Sequence, residues 1–226
     1  MFRLFGSALL LAFLLPSVPA AADRIVPAEV PTVDEAVSML EDGDRIVLLP
    51  GEYRVFVEPP RGIDFSMVGR GGRDSTFLKG LRQGDPIVFA QGEGERCVLR
   101  GITFDRSDAP QMFAVLASGR RIAIEDCRFI AGAGARIDSC TGVVRRSEFR
   151  GCFDGLQLRG SPVLVEESEF VAAGQYGILA RGSEAKIVRN VFREVGHACV
   201  LVVGKRRAPV IGGSRANGNV FLLSKM

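Results

Sequence analysis

Short runs of alternating apolar and polar residues, each closed by a turn residue, recur along this chain with a period of about 22 positions. Residues 97–104, 122–129, 142–149, 163–170 and 185–192 align without gaps on a final phenylalanine. Their phenylalanines stand 25, 20, 21 and 22 residues apart. A second motif lies between them, at 155–160 (GLQLRG), 177–182 (GILARG) and 199–204 (CVLVVG). Weaker forms, aligned end to end with it, are 114–119 (AVLASG) and 135–140 (ARIDSC). Alternation over four to six residues predicts strands, and the glycines mark tight turns. No helix of useful length fits beside them within one period. A leucine-rich repeat has a similar period, but its fixed Leu and Asn ladder is missing. What remains is a coil of parallel strands that rises about 4.8 Å per turn, so that equivalent side chains stack above one another.

Stacking makes columns, and the columns are readable. Five residues before each phenylalanine stand Leu99, Ile124, Val144, Val165 and Ile187, an inward aliphatic column beside a column of Phe. Two residues before stand Ile102, Cys127, Ser147, Ser168 and Asn190. Mostly small or polar, they suit a corner, where Asn tolerates the left-handed conformation. Four residues before are Arg100, Glu125, Arg145 and Glu166, and three before are Gly101, Asp126, Arg146, Glu167 and Arg189. Charge alternates from coil to coil in both sets. Each charge then meets opposite charges above and below, and a slip by one coil sets like charges together. Glu125-Asp126 and Glu166-Glu167 therefore read as rungs of a salt ladder rather than as catalytic or Ca²⁺-binding pairs.

The N-terminal part predicts a lid for this stack. Thr32 and Glu35 have the spacing of a capping box, and Val33, Ala36, Val37 and Leu40 share one helical face. Residues 43–53 (GDRIVLLPGEY) then read as a first coil, and 65–69 (FSMVG) with 75–80 (STFLKG) as a second. Together these motifs resemble the right-handed parallel β-helix proteins of the pectin-lyase-like superfamily. The resemblance covers about residues 30–222. It implies an all-β fold, a right-handed parallel β-helix of eight or nine coils with a short N-terminal capping helix.

Before that domain lies an address. Met1-Phe2-Arg3 is followed by an apolar run from Leu4 to Leu15, then Pro16, Pro19 and the small residues 20–22. This is the layout of a secretory signal peptide, too short to span a bilayer. Residues 1–22 are expected to be removed, leaving 23–226 as one exported β-helix domain, periplasmic or extracellular, with no membrane span after cleavage. The net charge of +3 is too small to argue for nucleic acid. Five cysteines, an odd number with no C-x-x-C pair, read as small core residues rather than metal ligands. A single His excludes a multi-His metal site. The glycines of 69–74 (GRGGRD) lack the G-K-[ST] of a phosphate loop and read as a turn.

The resemblance implies a binding or active cleft along the sheet built from strands like 155–159 and 177–181. Alternation there puts Leu156, Leu158, Ile178 and Ala180 inside, and Gln157, Arg159, Leu179 and Arg181 outside. Arg159 and Arg181 then stack in one outer column, read as lacking an acidic partner. Arg136, Asp138, Asp154, Tyr176 and His197 fall on or beside the sheet. Two functions follow. The first is an exported module that binds an acidic polysaccharide or envelope component, with Arg159, Arg181, Gln157, Arg136 and Tyr176 as substrate-binding residues and no cofactor. The second is a polysaccharide lyase or epimerase acting on uronates through Arg181, His197 and Asp154. Only this alternative calls for Ca²⁺. Arg207-Ala208-Pro209 is similar to the R-x-P motif of pectate-lyase-like relatives, but no cluster of Asp and no Trp platform accompanies it. At the far end, Phe221, Leu222 and Leu223 close the chain without a second capping helix. A weak end-to-end homodimer is expected there, with a self-capping tail as the alternative.

Overall fold

A strand of three to six residues followed by a left-handed residue must turn sharply, and the coils from Arg121 to Gly204 repeat that device at each of their three corners. The computed structural model describes residues 21–204, 209–212 and 218–222. Its strands are parallel and fall into three sheets of nine, eight and six strands. The first sheet begins at Asp23–Val26 and runs through Arg121–Glu125 to Val210–Ile211. The second runs from Gly51–Val55 through Arg128–Ala131 to Val220–Leu222. The third holds Val88–Gln91, Val115–Ser118, Ala135–Asp138, Asp154–Arg159, Tyr176–Arg181 and Ala198–Val203. From Val88–Gln91 onward each coil contributes one strand to each sheet in turn, while the strands before it belong only to the first two sheets, and the whole is the expected parallel β-helix.

Both core columns form. Leu99, Ile124, Val144, Val165 and Ile187 are register partners and fully buried. Phe104, Phe129, Phe149, Phe170, Phe192 and Phe221 are stacked in register across the second sheet, with ring centroids 4.6–5.3 Å apart. Phe221, which the repeat alignment left outside the column, is its last ring.

The corner after the first sheet corrects one expectation. The left-handed residue is not at the Ser/Asn column but one position earlier, at Gly101, Asp126, Arg146, Glu167 and Arg189, with φ between 48° and 65°. The Ser/Asn column points inward and is buried. There the Cys127 N–H donates to Ser147 Oγ, Ser147 N–H to Ser168 Oγ, Ser168 N–H to Asn190 Oδ1 and Asn190 N–H to Asn219 Oδ1, at 2.9–3.2 Å. A short polar side chain is needed there because a bend leaves backbone groups that the sheet cannot pair. At the corner after the third sheet, Ser161 and Ser183 accept from the Cys140 and Ser161 N–H groups in the same way.

The charge columns pair largely as read. Glu125 takes Arg100 at 2.5 Å and Arg145 at 2.8 Å, and Asp126 takes Arg146 in a two-bonded fork. Arg146 holds the Asp126 carboxyl below its usual range. One rung departs: Arg145 lies in register with Glu166, yet Glu166 pairs with Arg189 of the neighbouring column, which also reaches Glu167. Arg189 is long enough to serve both carboxylates.

At the N-terminal end the helix Val33–Ser38 forms, and Thr32 Oγ1 accepts from the Glu35 N–H at 3.2 Å. Val33, Ala36 and Leu40 bury against the core. The strand Asp23–Val26, which no sequence signal marked, precedes this helix and pairs with Arg45–Leu48. At the opposite end Val210, Ile211, Val220, Phe221 and Leu222 are exposed. Leu223 lies outside the described residues, as do residues 1–20 and Arg207. No helix among the described residues is long and apolar enough to cross a membrane.

Candidate functional site

The outer face of the third sheet carries the predicted site residues. Leu156, Leu158, Ile178 and Ala180 point into the core and are fully buried, which turns Gln157, Arg159 and Arg181 outward. Leu179 corrects the reading. It occupies an outward register position between Gln157 and Leu201, yet it is almost fully buried. Alternation decides which way a side chain leaves the sheet, not whether its neighbours cover it.

Arg159 and Arg181 are register partners, so the two guanidinium groups do stack. Their column is not free of acid, however. It runs Gln91, Ser118, Asp138, Arg159, Arg181 and Val203. Aligning 135–140 end to end with 155–160 put Asp138 one place out, because Asp154–Arg159 carries an extra residue near its start. There Asp154 pairs with Tyr176, while Ala135 pairs with Leu156. Arg136 Nη2 holds Asp138 Oδ2 at 2.7 Å, and Arg159 Nε stands 4.0 Å from Asp138 Oδ1. Arg181 has no ion-pair partner among the described residues. The guanidinium of Arg136 also lies over the Phe113 ring, 6.0 Å from its centroid.

The start of the same strands gathers a second group. Asp154 is 4% exposed, and its Oδ2 accepts from Gln157 Nε2 at 2.7 Å. Tyr176 is its register partner, and His197 stands edge-on to the Tyr176 ring at 5.5 Å. Arg181 is five residues further along the strand from Tyr176, about 16 Å away at the rise of a β-strand. The structure thus brings Asp154, Tyr176, Gln157 and His197 together and stacks Arg159 on Arg181, while Arg136 is the register partner of Gln157 and meets Arg159 through Asp138. It does not bring Arg181 to Asp154 and His197.

Three buried side-chain atoms on one strand have no hydrogen-bond partner among the described residues: Asp154 Oδ1, Gln157 Oε1 and Arg159 Nε. Across the described residues only Thr76, Arg106 and Arg145 hold others. Buried polar atoms are normally paired, so three on one strand without a hydrogen-bond partner stand out. Periodicity could not show this, since it depends on how far each side chain is covered.

A groove of about 510 Å³ opens at the N-terminal end of the arginine column, lined by Arg61, Gln91, Glu93, Glu95 and Ser118. Arg61 Nη2 donates to Gln91 Oε1 at 2.7 Å. The loop that carries Arg61 is held from inside by Arg120, which sequence reading passed over. Its guanidinium donates to the carbonyls of Gln91, Ile63 and Pro60. Chemistry elsewhere is muted. No group of three or more His, Cys, Asp or Glu among the described residues could hold a metal ion. Burial pushes the thiols of Cys97, Cys127 and Cys152 up to about 12, which leaves them inert as nucleophiles.

Comparison with known proteins agrees with this geometry. A family model described as right handed beta helix region matches residues 87–222, more than half of the chain. No curated protein and no solved structure matches it.

Proposed function

Since the chain belongs to the right-handed β-helix family, we propose that it is an exported binding module. On this reading, the third sheet holds an acidic polysaccharide, or another uronate-bearing component of the cell envelope, without turning it over. One observation carries the reading: Asp154 Oδ1, Gln157 Oε1 and Arg159 Nε, on a single strand, have no hydrogen-bond partner among the described residues. Two acceptors without a hydrogen-bond partner call for hydroxyl donors, and the Arg159 guanidinium, held to Asp138 only at 4.0 Å, suits an anion. A uronate ring offers both. The fork of an arginine suits a carboxylate, and Arg181 stands one coil above Arg159 without a partner among the described residues. In the sequence Lys205, Arg206 and Arg207 follow soon after Val203, the register partner of Arg181.

Binding fits better than turnover. A lyase or epimerase through Arg181, His197 and Asp154 needs those groups around one sugar carbon, and the strand separates Arg181 from the other two. Export rests on residues 1–22, which read as a signal peptide.

The test is retention of the mature protein on immobilised polygalacturonate, alginate and neutral dextran at low salt, with ultraviolet detection of unsaturated uronates in the same samples. Retention on one or both uronate polymers, none on dextran and no rise in absorbance is the expected result. Passage through all three columns overturns the proposal. A rise in absorbance replaces binding by lyase chemistry.

A further inference from the structure

Deepening the binding proposal, on which it rests, we infer that Phe153 with Tyr176 forms an aromatic platform on which a sugar ring stacks beside the unpaired acceptors of Asp154 and Gln157. Phe153 is 43% exposed. Among the described residues, the other exposed large apolar side chains are Met39 and Leu81 in the first coils, and residues of the last coil from Val202 onward. A single exposed apolar residue means little by itself. The placement of this one means more.

Phe153 immediately precedes Asp154, at the corner where the chain enters the third sheet. Its backbone is fixed on both sides. The Phe153 N–H donates to Gly132 O at 2.7 Å, and its carbonyl accepts from the Gln175 N–H at 2.8 Å. The Gln175 carbonyl in turn accepts from the His197 N–H at 2.9 Å. Phe153, Gln175 and His197 therefore occupy one corner position on three successive coils. Tyr176, the register partner of Asp154, is the diagonal neighbour of Phe153, and His197 braces the Tyr176 ring edge-on. Phe153 and His197 thus stand at the corner, Tyr176 opens the strand after it, and Asp154–Arg159 carries Asp154 Oδ1 and Gln157 Oε1 without hydrogen-bond partners among the described residues.

A pyranose is amphipathic in the same sense. Its axial C–H groups make an apolar face and its hydroxyls a polar edge. An aromatic face takes the first, with the stacking gain usual for rings. The acceptors take the second. Gln157 to Arg159 is two residues, about 7 Å along the strand, which sets the arginines for a carboxylate further along the ligand. Neither ring alone gives this. It needs the corner and the strand end together.

The absence of Trp from the chain makes the inference easy to test. The mature protein and the variants Phe153→Ala and Phe153→Trp are titrated with polygalacturonate and alginate, and their melting is recorded. Phe153→Ala should bind the polymer that the parent retains about five- to tenfold more weakly, with melting little changed because the side chain is half exposed. Phe153→Trp should bind as the parent does, and the emission of its single Trp should change as polymer is added. If Phe153→Ala binds like the parent, or the emission of Phe153→Trp is unmoved at saturation, the platform is overturned while the binding proposal stands. A parent that binds neither polymer overturns both.

Discussion

Shortening Phe149 to Ala should cost the protein about 3–5 kcal/mol, the range for a fully buried phenylalanine, with a correspondingly large fall in melting temperature. Phe149 lies within the column of rings, 4.6 Å from Phe129 and 4.8 Å from Phe170, with the planes within 4° of parallel on both sides. It is fully buried. Truncation leaves a cavity between two rings that are each fixed to their own coil, so neither can move in to fill it. In a solenoid each coil touches only its neighbours. One hole therefore weakens two interfaces, and no other part of the molecule makes up the loss. Phe221→Ala is the control. It sits in the same column but is 49% exposed, and its loss should stay within about 1 kcal/mol. Equal losses for the two variants, read by denaturant unfolding, would show that the column does not carry the stability assigned to it.

Arg120→Met should be nearly as damaging, at about 3 kcal/mol or more, since it removes three hydrogen bonds from a buried charged group, each worth about 1.5–3 kcal/mol. Arg120 is 1% exposed. Its Nε donates to Gln91 O at 2.8 Å, Nη1 to Ile63 O at 2.9 Å and Nη2 to Pro60 O at 3.2 Å, and its guanidinium lies over Phe65 at 5.5 Å. No carboxylate stands within ion-pair distance of it among the described residues. The side chain works as a three-way tie between the loop at 60–63 and the coil behind it. Met keeps the bulk and removes every donor. Lys restores the charge, but one ammonium cannot reach three carbonyls set out to match a planar fork. Arg120→Lys should therefore recover less than half of the loss. The freed loop should also expose Arg61 to trypsin, so faster cleavage there accompanies the lower melting point. An Arg120→Met protein that melts like the parent and resists trypsin would rule out the tie.

Most of the fold was legible because a solenoid writes the same sentence in every coil. Leu99 and Ile124 announce their column without any knowledge of the rest of the molecule, and the sign alternation of Arg100, Glu125 and Arg145 fixes the register. What stayed hidden depends on irregularity. The strand Asp23–Val26 sits outside the repeat and carries no periodic signal. Asp138 was assigned to the wrong column because one extra residue at the start of Asp154–Arg159 shifts the register. The left-handed corner residues are Asp126, Arg146, Glu167 and Arg189, which have no shared chemistry that marks them as bends, whereas the buried Ser and Asn beside them do.

The candidate site divides in the same way. The residues of the third sheet were found by alternation, and the structure stacks Arg159 on Arg181, sets Arg136 beside Gln157 and gathers Asp154, Tyr176 and His197 at the strand starts. Their separation along the strand, the cover over Leu179 and the lack of hydrogen-bond partners at Asp154, Gln157 and Arg159 among the described residues are properties of packing. Arg120 and Phe153 gave no signal at all. One is a buried charge in a sequence rich in surface arginine, and the other an apolar residue at a turn.

The most direct measurement of the central claim compares the mature protein with its Arg159→Gln, Arg181→Gln double variant in binding to the uronate polymer that retains the parent, at low and at raised salt. Arg159 reaches its nearest carboxylate only at 4.0 Å, and Arg181 has no partner among the described residues, so the fold loses little when both charges go. The account predicts parent binding that weakens as salt rises, a variant that binds about tenfold or more weakly at low salt, and melting temperatures within a few degrees of each other. Equal binding by parent and variant at both salt concentrations, with both proteins folded, would contradict it.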